Sequence, residues 1–290
     1  MILLIVAIIV APIVIAGGIQ LRNASRNNAL LQAIRDNDTS AVQSLLRDGL
    51  DPNRPLVVPK EVTSLADIFR RSIAIWPKGM YESVPPICMA AGLPDSTIAN
   101  MLLEKGADPN ALDPQGYSPI DIVTSISSNS KETDLVSMAG TLLRHHANVM
   151  GSSSSYNRPL VSAAAFEKPK LVDLIIQYGG PHHEMPEYLG LALYYASLRN
   201  VEITKSLLSA GADPNFTDQS EPSPLEGAVV AGNKQIVKIL LDYGANPNQK
   251  GHGDWLPIDF ARHNKHLDIV AILKDAMAKR KAVGSSGLKK

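Results

Sequence analysis

The sequence predicts an all-α fold: an α-solenoid of helix–turn–helix units with extended fingers between them, preceded by an N-terminal transmembrane helix. Three observations predict it. First, the stretch Leu207–Asn215, LLSAGADPN, returns as LLDYGANPN at Leu240–Asn248, a shift of 33 residues. LLEKGADPN (Leu102–Asn110) and LLRDGLDPN (Leu45–Asn53) are further copies; LLRHHANVM (Leu142–Met150) and IIQYGG (Ile175–Gly180) are worn ones. Second, apolar residues of helical period lead into these copies. Third, the chain opens on a run, Met1–Ile19, without one charged side chain. A period of this size marks stacked supersecondary units, none able to bury its apolar face alone.

The N-terminal run comes first in the chain. About 21 helical residues at ~1.5 Å each reach ~31 Å, close to the hydrocarbon thickness of a bilayer. Pro12 interrupts the run, which spanning helices tolerate better than soluble ones. Two membrane readings compete for residues 1–21. Pro12, Val14 and Ala16 suit a signal cleavage site after Ala16, although the basic n-region is missing. An uncleaved anchor draws support from its length and from Arg22 and Arg26, which would hold the C-terminal flank in the cytoplasm.

The glycine that ends each outer helix serves as a ruler: Gly49, Gly106, His146 (glycine lost), Gly179, Gly211 and Gly244, at intervals of 57, 40, 33, 32 and 33. Glycine belongs there because the helix ends in a left-handed conformation that only Gly adopts without Cβ strain. The Asp-Pro-Asn that follows turns the chain away, since Pro cannot extend a helix and Asx side chains hydrogen-bond the turn backbone. Upstream, Leu225, Ala228 and Val229 make one short helix. Ile236, Ile239, Leu240 and Leu241 line the next, with Gly232-Asn233 as the break. Small residues (Ala90-Ala91, Ala163–Ala165, Ala228) let successive helices approach closely.

SPLEGAVVAGNKQIVKILLDYGANPN (Ser223–Asn248) resembles the ankyrin repeat, as do YSPIDIV (Tyr117–Val123), RPLVSAA (Arg158–Ala164) and LPIDFARHNKHLDIVAIL (Leu256–Leu273). The resemblance covers Asn27 to Lys281 and implies an ankyrin-repeat domain over 22–281 with seven units: 27–53, 84–110, 117–150, 157–180, 188–215, 223–248 and 256–281. It leaves an insertion at 54–83 and a disordered tail at 282–290. No unit keeps the family's full Thr-Pro-Leu-His box, whose last place holds Cys88, Asp121, Val161, Glu226 and Asp259. Losing those hydrogen bonds is expected to weaken the turns locally without changing the stacking, because apolar burial remains.

In the family, partners meet the concave face built from finger tips and inner helices. The matching finger places include Gln115, Tyr117, Tyr156, Tyr188, Glu221, His252, Asp254 and Trp255, with Phe166, Leu198 and His263 on inner helices. Tyr117, Tyr156, Tyr188 and Trp255 recur once per unit just before the inner helix, so they are expected to form an aromatic ladder. The insertion is a second candidate surface. EVTSLADIFRRSIAIW fits a short amphipathic helix, and Trp76, Arg71 and Tyr81 are the residue types that dominate interface hot spots. The alternative is that Phe69 and Trp76 pack over the adjacent cap. A further seven residues near 127–132 (SSNSKE) read as a polar loop.

Composition narrows the function class. Lys plus Arg equals Asp plus Glu, 28 each, which argues against a nucleic-acid partner held by counterion release. Cys88 is the only cysteine, so no intrachain disulfide is possible, and its setting PPICMAAG is that of a buried small hydrophobe. His145-His146 and His182-His183 lack a further ligand at metal spacing; the first pair reads as a worn helix cap. No nucleophile elbow or phosphate loop occurs. The expectation is therefore a non-catalytic scaffold with no cofactor, no metal and no small-molecule substrate. It is tethered to a membrane, with its repeats in the cytoplasm, and binds another protein to neutralise or stabilise an enzyme or toxin. The alternative is an exported periplasmic protein protecting an envelope enzyme.

Overall fold

The computed structural model describes residues 25–59, 81–126, 131–152, 158–179, 185–217 and 222–286. The apolar run at 1–21 lies outside the described residues; among those described, no helix is long and apolar enough to cross a membrane. Two compact units divide the chain, residues 1–126 with 133–155, and residues 127–132 with 156–290.

In the first unit a helix α1 spans 25–35, followed by α2 (Thr39–Arg47), β1 (Leu56–Pro59), β2 (Tyr81–Val84), α3 (Pro86–Ala91), α4 (Thr97–Glu104), α5 (Pro119–Ser125) and α6 (Glu132–Arg144). The second unit holds α7 (Pro159–Ala165), α8 (Pro169–Gly179), α9 (Met185–Ser197), α10 (Val201–Ser209), α11 (Pro224–Val230), α12 (Lys234–Asp242), α13 (Pro257–His263) and α14 (Leu267–Ser286). Within it the inner helices α7, α9, α11 and α13 pack each against the next. The outer helices α8, α10, α12 and α14 do the same behind them. The final helix runs on past Lys281 to Ser286, into the stretch expected to be a disordered tail.

Local chemistry sets these bounds. Pro86, Pro119, Pro159, Pro224 and Pro257 each open an inner helix, where a fixed φ is pre-organised and the missing N–H costs nothing. Asp38, Asn200 and Asn233 cap outer helices by accepting from Ala41, Ile203 and Ile236 N–H, satisfying donors that the first turn leaves open. At the other end Gly49, Gly106, Gly211 and Gly244 adopt φ between +79° and +94°, and His146 takes the same place at +66°. The worn cap read at His145-His146 is thus a working one. Leu171, Ile203, Leu207, Ile236, Leu240, Ile269 and Leu273 are completely buried between the layers, and each such side chain contributes roughly 1.5–3 kcal/mol.

The Asp-Pro-Asn turns also join neighbours. Asp51, Asp108 and Asp213 accept from Asn53, Asn110 and Asn215 N–H at 2.8–2.9 Å, closing an Asx turn. The Asn side chain then brackets one residue of the following repeat. Asn53 donates to Gly106 O and accepts from Asp108 N (2.8 and 2.7 Å). Asn110 does so with His146 O and Asn148 N, and Asn215 with Gly244 O and Asn246 N.

The all-α expectation needs one correction. β1 and β2 form a two-stranded antiparallel sheet at the two ends of the insertion, with Leu56 opposite Val84 and Val58 opposite Glu82. Leu56 and Val58 are buried while Val57 is 54% exposed, the period-two alternation of a half-buried strand. The amphipathic helix read over residues 61–76 lies outside the described residues.

Candidate functional site

At Asp121, Cys88 and Asp259 the last place of the turn box still makes a hydrogen bond, whereas Val161 has no polar side chain to do so. Asp121, completely buried, accepts from Ser118 N (2.9 Å), Ser118 Oγ (2.7 Å) and Ser152 N of the following finger (2.9 Å). Cys88, in the same place of its own repeat, donates its thiol to Ala111 O at 3.2 Å, and burial pushes that thiol well above the usual range. It is an inert packing residue. Asp259 accepts from Leu256 N. A carboxylate or a thiol therefore restores the bond to the turn, to the next finger, or to both.

The finger ahead of α5 shows how these loops are held. Asp113 accepts from Gln115 N and Tyr117 N at 2.9 and 2.8 Å, and Ser152 Oγ donates to Gly116 O. Burial raises the Asp113 carboxyl above its ordinary value, against the pull of those backbone N–H groups. Tyr117 leaves this loop half-buried and Gln115 exposed.

The aromatic ladder does not form as expected. Tyr188 is no finger residue: it lies inside α9, which at 13 residues is longer than the seven-residue inner helices beside it. Only 6% of Tyr188 is exposed, and the Arg158 guanidinium sits 4.9 Å above its ring. The extra N-terminal turns of α9 stand where a finger was expected, and Phe216 from the next loop packs its ring on Gly190, where a Cβ could not fit. Tyr156, Glu221, Trp76 and Arg71 lie outside the described residues. Tyr81 opens β2, with its backbone opposite Pro59.

What the second unit does bring together is a row at the C-terminal ends of its inner helices. Phe166 caps α7, Leu198 follows α9, Val230 closes α11 and His263 closes α13. Phe166 and Leu198 thus sit in the turns rather than on the helix faces. Phe166 is 42% and Val230 46% exposed, His263 is exposed, and Leu198 is half-buried. Leu198 and Tyr194 lean over Gly227 of α11, so that a Cβ there would meet them at 3.3 and 3.1 Å. Trp255, 39% exposed, completes the row from the finger before α13, its ring 5.2 Å from Phe260 and 5.5 Å from His263. Gly253 and Asp254, both at positive φ (+66° and +63°), turn the backbone immediately before it, a region that Gly and Asp enter more readily than other residues. Val230 was missed from sequence because its neighbours in the other copies are Ala165 and His263, which carry no common apolar signal. Among the described residues no group of three or more His, Cys, Asp or Glu is placed to hold a metal.

Residues 192–282 match the family model of ankyrin repeats, in three copies. The human ASB11 ankyrin repeat domain is similar in fold, with a TM-score of 0.58 over 83% of this chain and 96% of its own, at 20% identity. An ankyrin repeat domain from Acinetobacter baumannii AYE is similar over 66% of this chain and 97% of its own, with a TM-score of 0.56 and 26% identity. No curated protein sequence matches the chain. Residues 192–282 are thus matched as ankyrin repeats, and the helix pairs, left-handed caps, Asn brackets and these likenesses support the ankyrin repeat family for the chain. Members of that family are typically non-catalytic modules that bind other proteins.

Proposed function

We propose that this chain is a non-catalytic scaffold that holds a partner protein on the inner-helix face of its second unit. One observation carries the reading: consecutive repeats expose side chains where the inner helices end, Phe166 at the capping place and Val230 and His263 one place earlier, with Trp255 beside His263. Scattered exposed apolar residues mean little; several gathered at the ends of neighbouring helices are what a contact surface needs. The side chains sit at the ends of close-packed helices or in the short loops that join them, so little ordering entropy is lost on docking. The uncharged run Met1–Ile19 supports a further part of the proposal, that the scaffold is tethered to a bilayer and meets its partner at the membrane face.

Photo-crosslinking from residue 230 in the full chain, with the captured protein then purified, gives the binding assay. Trp255→Ala is expected to weaken that partner by at least ~2 kcal/mol, about thirtyfold, while Lys238→Ala on the outer layer leaves it within twofold. Unchanged binding by Trp255→Ala removes the proposal. The tether is tested separately: the chain should stay with membranes at alkaline pH, and its release there rejects an inserted anchor.

A further inference from the structure

We infer that the distal half of α14 is a basic arm that lies on an anionic lipid surface. The choice of lipid rests on the bilayer tether proposed above; the arm itself rests on the length and charge of the helix. The outer helices α8, α10 and α12 have 11, 9 and 9 residues, and α14 has 20. Met277 stands 33 residues after Gly244, in the place where a left-handed glycine ends the earlier helix. Its side chain disfavours that conformation, and the helix runs on to Ser286. No residue from 274 to 281 is buried, so packing of the repeat does not account for this length. Residues 274–290 hold six Lys and Arg against one acid, Asp275, in a chain of net charge 0; the segment is +5 and the rest −5. An end cap needs polar side chains of either sign. One sign concentrated over this length is complementary to an anionic surface.

Local contacts divide these cations. Lys279 Nζ lies 2.7 Å from Asp275. Arg280 Nη1 donates to Asn246 Oδ1 (2.9 Å) and Ala245 O (3.4 Å), pinning the helix to the preceding turn. Lys274 and Lys281 have no ionic partner among the described residues. Lys274 takes the place that Leu208 and Leu241 hold in the two repeats before it. Leu241 lines the groove between α12 and α14, whereas Lys274 is exposed. Ala271, Lys274, Ala278 and Lys281 share one face of the helix, and all four are exposed. Seven residues separate the two lysines, a rise of about 10.5 Å. Only alanine methyl groups stand beside them on that face, so a flat layer of headgroup phosphates meets both ammonium groups. The face lacks the aromatic platforms on which nucleic-acid binders stack bases. Clusters of Lys and Arg close to a membrane are drawn to acidic headgroups in this way, over about a Debye length.

The experiment puts one fluorophore on the arm of the full chain. Cys88 is buried and its thiol unreactive, so Ser286→Cys supplies a single labelling site. Energy transfer to a headgroup-labelled acceptor is read on phosphatidylcholine vesicles with and without about 30% phosphatidylserine, after flotation. Transfer is expected to be at least about twofold higher on the acidic vesicles and to fall to the phosphatidylcholine level in about 0.5 M salt. Lys274→Gln, Lys281→Gln, Lys289→Gln and Lys290→Gln together, with Lys279 and Arg280 left in place, should remove the increment while circular dichroism stays that of the parent. Equal transfer on both vesicles, or an increment that survives the four substitutions, overturns the arm; the tether then stands if the chain still floats with phosphatidylcholine. Flotation with the acidic vesicles alone, lost in the fourfold variant, overturns the tether and supports the arm, and flotation with neither overturns both. Anisotropy of the same label is also read against a DNA duplex of about 20 base pairs. Saturation there at a lower phosphate concentration than on the acidic vesicles overturns the lipid assignment.

Discussion

Asp121 shows how much one carboxylate does when it is completely buried. Its three donors, Ser118 N, Ser118 Oγ and Ser152 N, belong to a helix cap and to the next finger, so the side chain fixes a turn and a joint together. Asp121→Ala leaves those donors buried without an acceptor and is expected to cost about 2–4 kcal/mol in urea unfolding; a loss under 1 kcal/mol would refute the role. Asp113 behaves differently, because burial raises its folded-state pKa. An acid raised on folding holds its proton more tightly folded than unfolded. Its penalty is thus absent below the unfolded carboxylate value and grows as pH rises through the folded one. Asn keeps an oxygen for Gln115 N and Tyr117 N while removing the charge. Asp113→Asn should therefore gain stability at pH 7 and lose that gain near pH 3, as paired denaturation curves will show. Lys265 sits at φ +61°, where the preceding repeat has Gly232 at +72°. Relief of that strain, less the entropy glycine adds to the unfolded chain, gives Lys265→Gly about 0.5–1 kcal/mol of added stability.

Among the elements, α9 departs most from its neighbours. Its repeat has no proline where Pro159, Pro224 and Pro257 open the other inner helices, so nothing local stops the helix from beginning earlier. The loss of that proline was visible in the sequence; its consequence was not, because Tyr188 reads equally well as a finger residue until Arg158 is placed over it. Phe216 then occupies the hollow above Gly190. Gly190→Ala should push the ring out and cost about 1–3 kcal/mol, whereas Phe216→Ala removes the obstacle. The double variant is expected to be less destabilised than the sum of the two, a coupling that a double-mutant cycle reads directly. Other elements were legible from single residues. The caps at Gly49, Gly106, Gly211 and Gly244 and the turns at Asp51, Asp108 and Asp213 follow from chemistry within three or four positions. The strands Leu56–Pro59 and Tyr81–Val84 were not, since four residues carry too short an alternation and each strand depends on a partner more than twenty positions away. The bond from Asp121 to Ser152 escaped for the same reason, and so did the row from Phe166 to Trp255, which exists only once the inner helices are side by side.

Taken as a whole, the second unit is a series of layers each touching only its neighbours, so its stability is a sum of repeat and nearest-neighbour terms. Leu207 is completely buried at the middle of that series. Leu207→Ala should cost about 2–5 kcal/mol, and hydrogen exchange should quicken most in α8, α10 and α12 while α14 changes less. Equal acceleration along the whole unit would mean a single cooperative core instead. The joint between layers carries a larger consequence. Asn53, Asn110 and Asn215 recognise only main-chain atoms, the carbonyl of Gly106, His146 or Gly244 and an amide two positions on. A connector indifferent to the side chains it grips lets a duplicated copy be spliced between two others without redesigning either border. The chain's length is then free to drift over generations while the contact residues on its surface diverge one copy at a time.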